Sequence, residues 1–327
     1  MRRPMTIVAV AAVTAIALTA CTPELPVAGT APAVEEPSAM TDSQVDRVID
    51  ETFAELRLAD AALDPAPLTL RVGGDAAQVR AAQYLQAKVA DGPAPDALPE
   101  DMLAVYVTSA EQWPRVMVGV TAEPEGGLTP VVMMWVQDDI STPYQLRHWA
   151  PMVPGASMPA MAGTSQGSEQ VTLGENSVTP SPRAVVEDYM QLLREGPTSE
   201  LNAQFAADGY RDRLFAARTA LTSAAATAGG KYIDTVQPQM DKTFALKTAD
   251  GGTFVLAPIL IASSFSVTNA KVSVPAIDAP LVDGALNATV THHYVDFIVL
   301  YVPGPGSERT LPAVVAADHH LVRVSAS

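Results

Sequence analysis

Phe244-Ala245-Leu246-Lys247-Thr248-Ala249-Asp250-Gly251-Gly252-Thr253-Phe254-Val255-Leu256-Ala257 places two apolar runs on either side of an Asp-Gly-Gly step. Such a step supplies the positive φ that a tight hairpin turn requires. The first run reaches back to Ile233 and the second forward to Thr268, so the sequence predicts antiparallel strands over 233–247 and 253–268. Two more long runs rich in Val, Ile and aromatic residues follow, at Ala285–Val302 and Thr310–Val324. They complete a sheet of four long strands.

Upstream of this sheet the pattern changes from strand to helix. Ser181-Pro182 pairs a good N-cap with a good first helical residue. Val185, Val186, Tyr189, Leu192 and Leu193 then form an apolar stripe that Gly196-Pro197 ends. A second helix is expected from about Asp208 to Ala228, closed by Gly229-Gly230. The region before residue 153 repeats this order. Thr41-x-x-Gln44 has the form of a capping box. Val45, Val48, Ile49, Leu56 and Leu63 fall near one helical face, and Pro65 and Pro67 stop the helix. Strands are expected at Leu68–Val72, Met102–Thr108, Arg115–Thr121, Val131–Gln137 and Tyr144–Met152. Gln78–Val89 fits either a helix, by its alanines, or a long strand.

Both halves therefore read helix first and antiparallel strands after. The fold class is α+β, two units, each with its N-terminal helix or helices packed on a curved sheet. The expected division is a signal peptide at 1–20, a lipidated cysteine and Pro-rich tether at 21–41, a first domain at 42–152, a linker at 153–180 and a second domain at 181–327. Within the linker, Glu169–Leu173 fits a short strand. Two helices followed by four long strands resemble the cone-like fold of the nuclear-transport-factor-2 and cystatin superfamily, a likeness that implies no function.

The N-terminus carries the address. Met1-Arg2-Arg3-Pro4 precedes an uncharged stretch from Met5 to Ala20, too short to span a bilayer comfortably. Leu18-Thr19-Ala20-Cys21 then reads as a lipobox. Small residues suit the peptidase, and the thiol of Cys21 takes a diacylglyceryl group; two acyl chains anchor stably where one does not. Cys21 is the only cysteine, so no internal disulfide is expected. Residues 22–41 hold four prolines and, if extended at about 3 Å per residue, reach on the order of 60 Å. The expected location is the extracytoplasmic face of the membrane. A formal charge of −16 argues against nucleic-acid partners and against a basic membrane-binding face.

Several phrases recur together behind the lipobox: Trp113-Pro114-Arg115, Pro143-Tyr144-Gln145-Leu146, Val153-Pro154-Gly155-Ala156, Ser181-Pro182-x-x-Val185-x-x-x-Tyr189, Gly196-Pro197-Thr198-Ser199 and Phe205-Ala206-Ala207-Asp208. In this order they resemble a family of actinobacterial secreted lipoproteins with no established function. The likeness covers most of residues 45–325. It implies an envelope location and no activity.

Candidate chemistry is sparse. Gly163-Thr164-Ser165-Gln166-Gly167 matches the Gly-x-Ser-x-Gly pattern of serine hydrolases, but no strand precedes it and no helix follows. His292-His293 and His319-His320 lie on the last two strands with Asp296 and Asp318 nearby. One histidine of each pair can share a face with a carboxylate, as a Zn²⁺ or Cu²⁺ site would need. Arg147-His148-Trp149 and Trp113-Pro114-Arg115 set cations beside aromatic rings, as structural stacks and sugar platforms both do. Met117, Met133, Met134, Met152, Met158 and Met161 suit either a core or an apolar groove. Gly229-Gly230-Lys231 lacks the other positions of a phosphate loop. No catalytic residue and no cofactor is expected. A non-catalytic envelope lipoprotein with a protein partner is the leading expectation. The alternative is a carrier or sensor of an apolar small molecule or lipid held between sheet and helices.

Overall fold

Thr41 opens the first helix, α1 (Asp42–Ala62), with the Gln44 side chain reaching back to the Thr41 N–H at 2.9 Å. The computed structural model describes residues 37–123, 128–162, 166–174 and 179–326. Cys21 and its lipobox, and Gly163, Thr164 and Ser165, lie outside them. Leu63 ends α1 in the left-handed region. The expected strand at Leu68–Val72 does not form; Val72 makes only an isolated bridge to Leu146. A carboxylate takes the place of a strand partner, because Glu55 accepts from the backbone N–H groups of Thr69, Leu70 and Arg71 at 2.9–3.2 Å. The stretch that fits helix or strand is helix: α2 spans Gly74–Ala87.

Four strands follow as a meander: β1 (Met102–Val107), β2 (Arg115–Thr121), β3 (Val131–Gln137) and β4 (Gln145–Pro151), all antiparallel. The second half supplies α3 (Pro182–Glu195) and α4 (Gly209–Thr227), each capped by an acceptor side chain, Ser181 for α3 and Asp208 for α4. The expected strand at 233–247 is two strands, β5 (Lys231–Pro238) and β6 (Phe244–Lys247). A 3-10 turn at Met240–Lys242 follows Pro238 and parts them. Both pair with β7 (Thr253–Ser266), which is long enough to serve two partners. The Asp250-Gly251-Gly252 turn forms as expected, with Gly251 at φ +80° and the Asp250 carboxylate accepting the Gly252 N–H at 3.2 Å. β8 (Val282–Asp283), β9 (Thr289–Val302) and β10 (Ala313–Ala326) complete a sheet of order β5-β7-β9-β10-β8, with β6 beside β7. Only the short β8–β10 pair is parallel. The fold is α+β.

The layering follows from alternation along the strands. Met117, Met133, Trp135 and Leu146 face α1 and α2. Val116, Val118, Val132 and Met134 point the other way and meet Phe254, Leu256, Phe297 and Val299 of the second sheet. Val255, Ala257, Ile259, Ile298 and Leu300 then face α3 and α4. The order is helices, sheet, sheet, helices. Strands buried on both faces read as continuous apolar runs rather than as alternating ones, which is what Val131–Val136 and Phe254–Ile259 show. Each such side chain buried in full contributes roughly 1.5–3 kcal/mol.

The division into two domains joined by a linker is therefore corrected. Glu35–Ser327 form one compact unit, because each sheet buries its second face on the other. The segment expected to be a linker is laced across both halves. Ser168 N bonds Val107 O, Val153 N bonds Val315 O and Val171 N bonds Ala245 O, each at 2.8 Å. The last part of the expected tether also belongs to the fold, with Ala39 N on Thr108 O at 3.0 Å.

Candidate functional site

Three clusters of ionisable groups sit where layers meet. The first joins α2 to both sheets. Gly73 and Gly74 bring the start of α2 against β4, where a Cβ on Gly73 would lie 2.5 Å from the Gln145 side chain. Asp75 then accepts from Gln239 at 3.0 Å and Lys242 at 3.1 Å, with His148 Nε2 at 3.3 Å. His148 stacks on Phe297, centroids 5.0 Å apart. Burial pulls its pKa down to about 3, with Asp75 opposing, so the ring is neutral. This is a joint between layers, with Asp75 as the acceptor that the other members share.

The second lies under α4. The fully buried Asp296 accepts from the Tyr210 hydroxyl and faces His319 Nδ1 at 2.8 Å. Burial and the Asp296 charge push the Tyr210 hydroxyl well up. Tyr189 donates to Asp208 at 3.1 Å in the same region. Tyr294 stacks on His319 at 4.0 Å, and His292 on Tyr294 at 6.4 Å. The tyrosine ring thus stands between the two histidines that share this face. On the opposite face His293 bonds Ser325 at 2.8 Å. The four paired histidines do not converge on one point.

His320 belongs to the third cluster. Its Nε2 lies 3.1 Å from Asp318 and its Nδ1 3.8 Å from Asp96. Burial works against its protonation, but Asp318, Asp96 and Asp296 outweigh it and the pKa is raised. Among the described residues, Asp96, Asp318 and His320 form the one set whose ligand atoms lie close enough together to hold a metal ion. Asp96 comes from the coil between α2 and β1 and has no sequence neighbour that marks it. It is bonded by Gln83 at 2.5 Å.

Beside this cluster is a cleft of about 390 Å³. Trp149 and Val131 are its buried floor, Leu98, Leu128 and Pro151 stand around it, and Asp96 and Asp318 mark the acidic side. Leu128 is 62 % exposed. The Trp149 ring meets His320 edge-on at 5.6 Å and carries Arg80 at 5.2 Å, while its indole N–H has no partner. The cleft thus combines an apolar floor and a pair of carboxylates.

Residues 37–322 match the family described as Domain of unknown function (DUF8094). The chain belongs to that family. The match runs from the first described residue into β10, so the DUF8094 unit takes in both sheets and all four helices. No curated protein and no solved structure matched the chain.

The remaining sequence candidates of this DUF8094 protein have structural employment. Arg115 lies 4.1 Å above the Trp113 ring, and Arg147 pairs with Asp138 at 2.7 Å. Met117 and Met133 fill the core under α1, Met134 and Met152 the core between the sheets, and Met158 and Met161 pack against the latter. Gly229-Gly230-Lys231 joins α4 to β5. Among the described residues no helix is long and apolar enough to cross a membrane.

Proposed function

We propose that the protein is a non-catalytic, lipid-anchored protein of the cell envelope, held at the extracytoplasmic face through Cys21, that binds a protein partner with the cleft over Trp149. The cleft is the observation that carries the binding half of this reading. Its apolar floor suits one side chain, and its two carboxylates suit a basic residue beside it. The net charge of −16 favours encounter with a basic partner. The anchor half rests on the lipobox Leu18-Thr19-Ala20-Cys21. The space between α3, α4 and the second sheet is filled by Tyr189, Met190, Leu193, Tyr210 and Phe215, which supports a partner over an apolar cargo there. No cofactor is part of the reading.

The test is site-specific photocrosslinking in cells from position 128. A discrete adduct is expected, and Asp96→Lys with Asp318→Lys is expected to abolish it. An adduct that survives both charge reversals, or none at all from 128 and 97, sinks the cleft as the binding site.

A further inference from the structure

A second concavity has the opposite charge. A groove of about 290 Å³ runs beside the N-terminus of α1, lined by Arg47, Arg71 and Arg115 with Met40, Gln44 and Tyr144. Among the described residues, none that lines it is acidic. Glu51, which accepts from Arg71 Nε at 2.8 Å, is the carboxylate paired with one of the three guanidinium groups. Three arginines converging on one groove in a chain of charge −16 run against the sign of the whole molecule.

Most of the uncommitted side-chain groups there are donors, with the Gln137 amide oxygen as an acceptor among them. Arg115 gives one terminal nitrogen to the Ala110 carbonyl at 2.8 Å, while its buried Nε has no partner. Tyr144 is 5 % exposed, and its hydroxyl has no partner. Burial pushes that hydroxyl up to about 12, with Arg115 partly opposing, so it stays a donor. Arg71 gives a terminal nitrogen to the Tyr144 carbonyl at 3.2 Å. Arg47, on the exposed side of α1, makes no hydrogen bond or ion pair among the described residues. The positive end of the 21-residue helix α1 adds to the same field. An excess of donors favours a ligand rich in acceptors, and Arg recognises planar or tetrahedral oxyanions by paired N–H groups.

We propose that this groove binds a phosphate group. A carboxylate offers two acceptor oxygens in one plane, whereas a phosphate offers at least three in a tetrahedral array that reaches guanidinium groups on different sides, and the volume leaves room for the group that the phosphate is attached to. Two sources share this chemistry: a soluble phosphate ester and a phospholipid headgroup. Ala39 and Met40 line the groove, on the side where the chain leads back to Cys21. The headgroup source therefore rests on the anchor reading, and the soluble source does not.

The test uses Cys21→Ala protein without residues 1–20, so that neither an acyl chain nor the apolar stretch Met5–Ala20 contributes. Glycerol 1-phosphate is titrated by calorimetry, and vesicles of phosphatidylglycerol in phosphatidylcholine are floated with the protein. Saturable binding of either probe is expected, falling at least tenfold in Arg47→Gln and in Arg115→Gln and weakening with salt. Binding of the ester identifies a soluble ligand; binding of the vesicles alone identifies a headgroup. Equal binding by parent and both variants, or no binding of either probe at millimolar phosphate, overturns the proposal. Arg47 is exposed and unpartnered, so its variant keeps the test valid if Arg115→Gln misfolds. The groove shares no residue with the Trp149 cleft, so either reading can fail without the other.

Discussion

His148 and His320 titrate with opposite consequences, and the sign follows from what surrounds each ring. Burial holds His148 neutral with a folded pKa of about 3, against an ordinary 6.5. The unfolded chain binds the proton first, so stability is lost as pH falls from 6.5 toward 3, by on the order of 5 kcal/mol at the limit. His320 is raised by Asp318, Asp96 and Asp296 against the opposing effect of its burial. Its contribution is present below 6.5 and is lost as pH rises through the raised folded value. Urea unfolding from pH 4 to 8 separates the two. His148→Gln is expected to lower stability at pH 7 and to flatten the acid limb, whereas His320→Gln is expected to lower stability chiefly at the acid end. An unchanged acid limb in His148→Gln means that another group governs it. Neither role was legible in the sequence. His148 stood out only through its neighbours Arg147 and Trp149, and Asp75, its partner, lies on another element.

Helix starts were the most legible elements, because their signals are local. Ser181-Pro182 places an acceptor and a preset φ in two adjacent residues, and α3 begins there with Ser181 Oγ accepting from Ala184 N at 3.3 Å. Replacing Ser181 with Ala is expected to cost about 1 kcal/mol and to lower the melting temperature by a few degrees, as differential scanning calorimetry can measure. No change would mean that packing of Val185, Val186 and Tyr189 holds α3 without its cap. Strand spans at β2 and β3 matched because turn residues bound them. Leu68–Val72 failed because an apolar, β-favouring run carries no record of whether a neighbouring strand is free. Glu55 took those N–H groups first. The single strand expected at 233–247 became β5 and β6 because Pro238 interrupts it where β7 does not need one continuous partner.

At the scale of the molecule, an acidic cleft and a basic groove lie apart on one body, and the proposed anchor at Cys21 would hold both at the membrane. Cys21→Ala is expected to move the protein from the membrane fraction to the soluble fraction. The fold from Pro37 onward and its melting temperature should stay unchanged, as fractionation and calorimetry check. Full retention in the membrane fraction would sink the anchor. The single body also has a mechanical consequence. Because Val116, Val118, Phe254 and Phe297 share one core, the halves should unfold together rather than as two transitions.

The amino-acid sequence by itself determined the α+β class, the helix starts, the hairpin at Asp250-Gly251-Gly252 and most strand spans. Each rests on signals within a few residues of one another: caps, turn glycines and apolar periodicity. It also places Cys21, the chain's single cysteine, directly after the uncharged stretch Met5–Ala20. Only the tertiary structure decided that the two halves are one unit, since a strand's second face looks the same whether it meets water, a helix or another sheet until the partner arrives. For the same reason the Asp75–His148–Lys242 joint, the meeting of Asp96 with His320 and the three arginines around Tyr144 had no signature in the chain. Their members are tens to more than a hundred residues apart, and long-range packing alone brings them together.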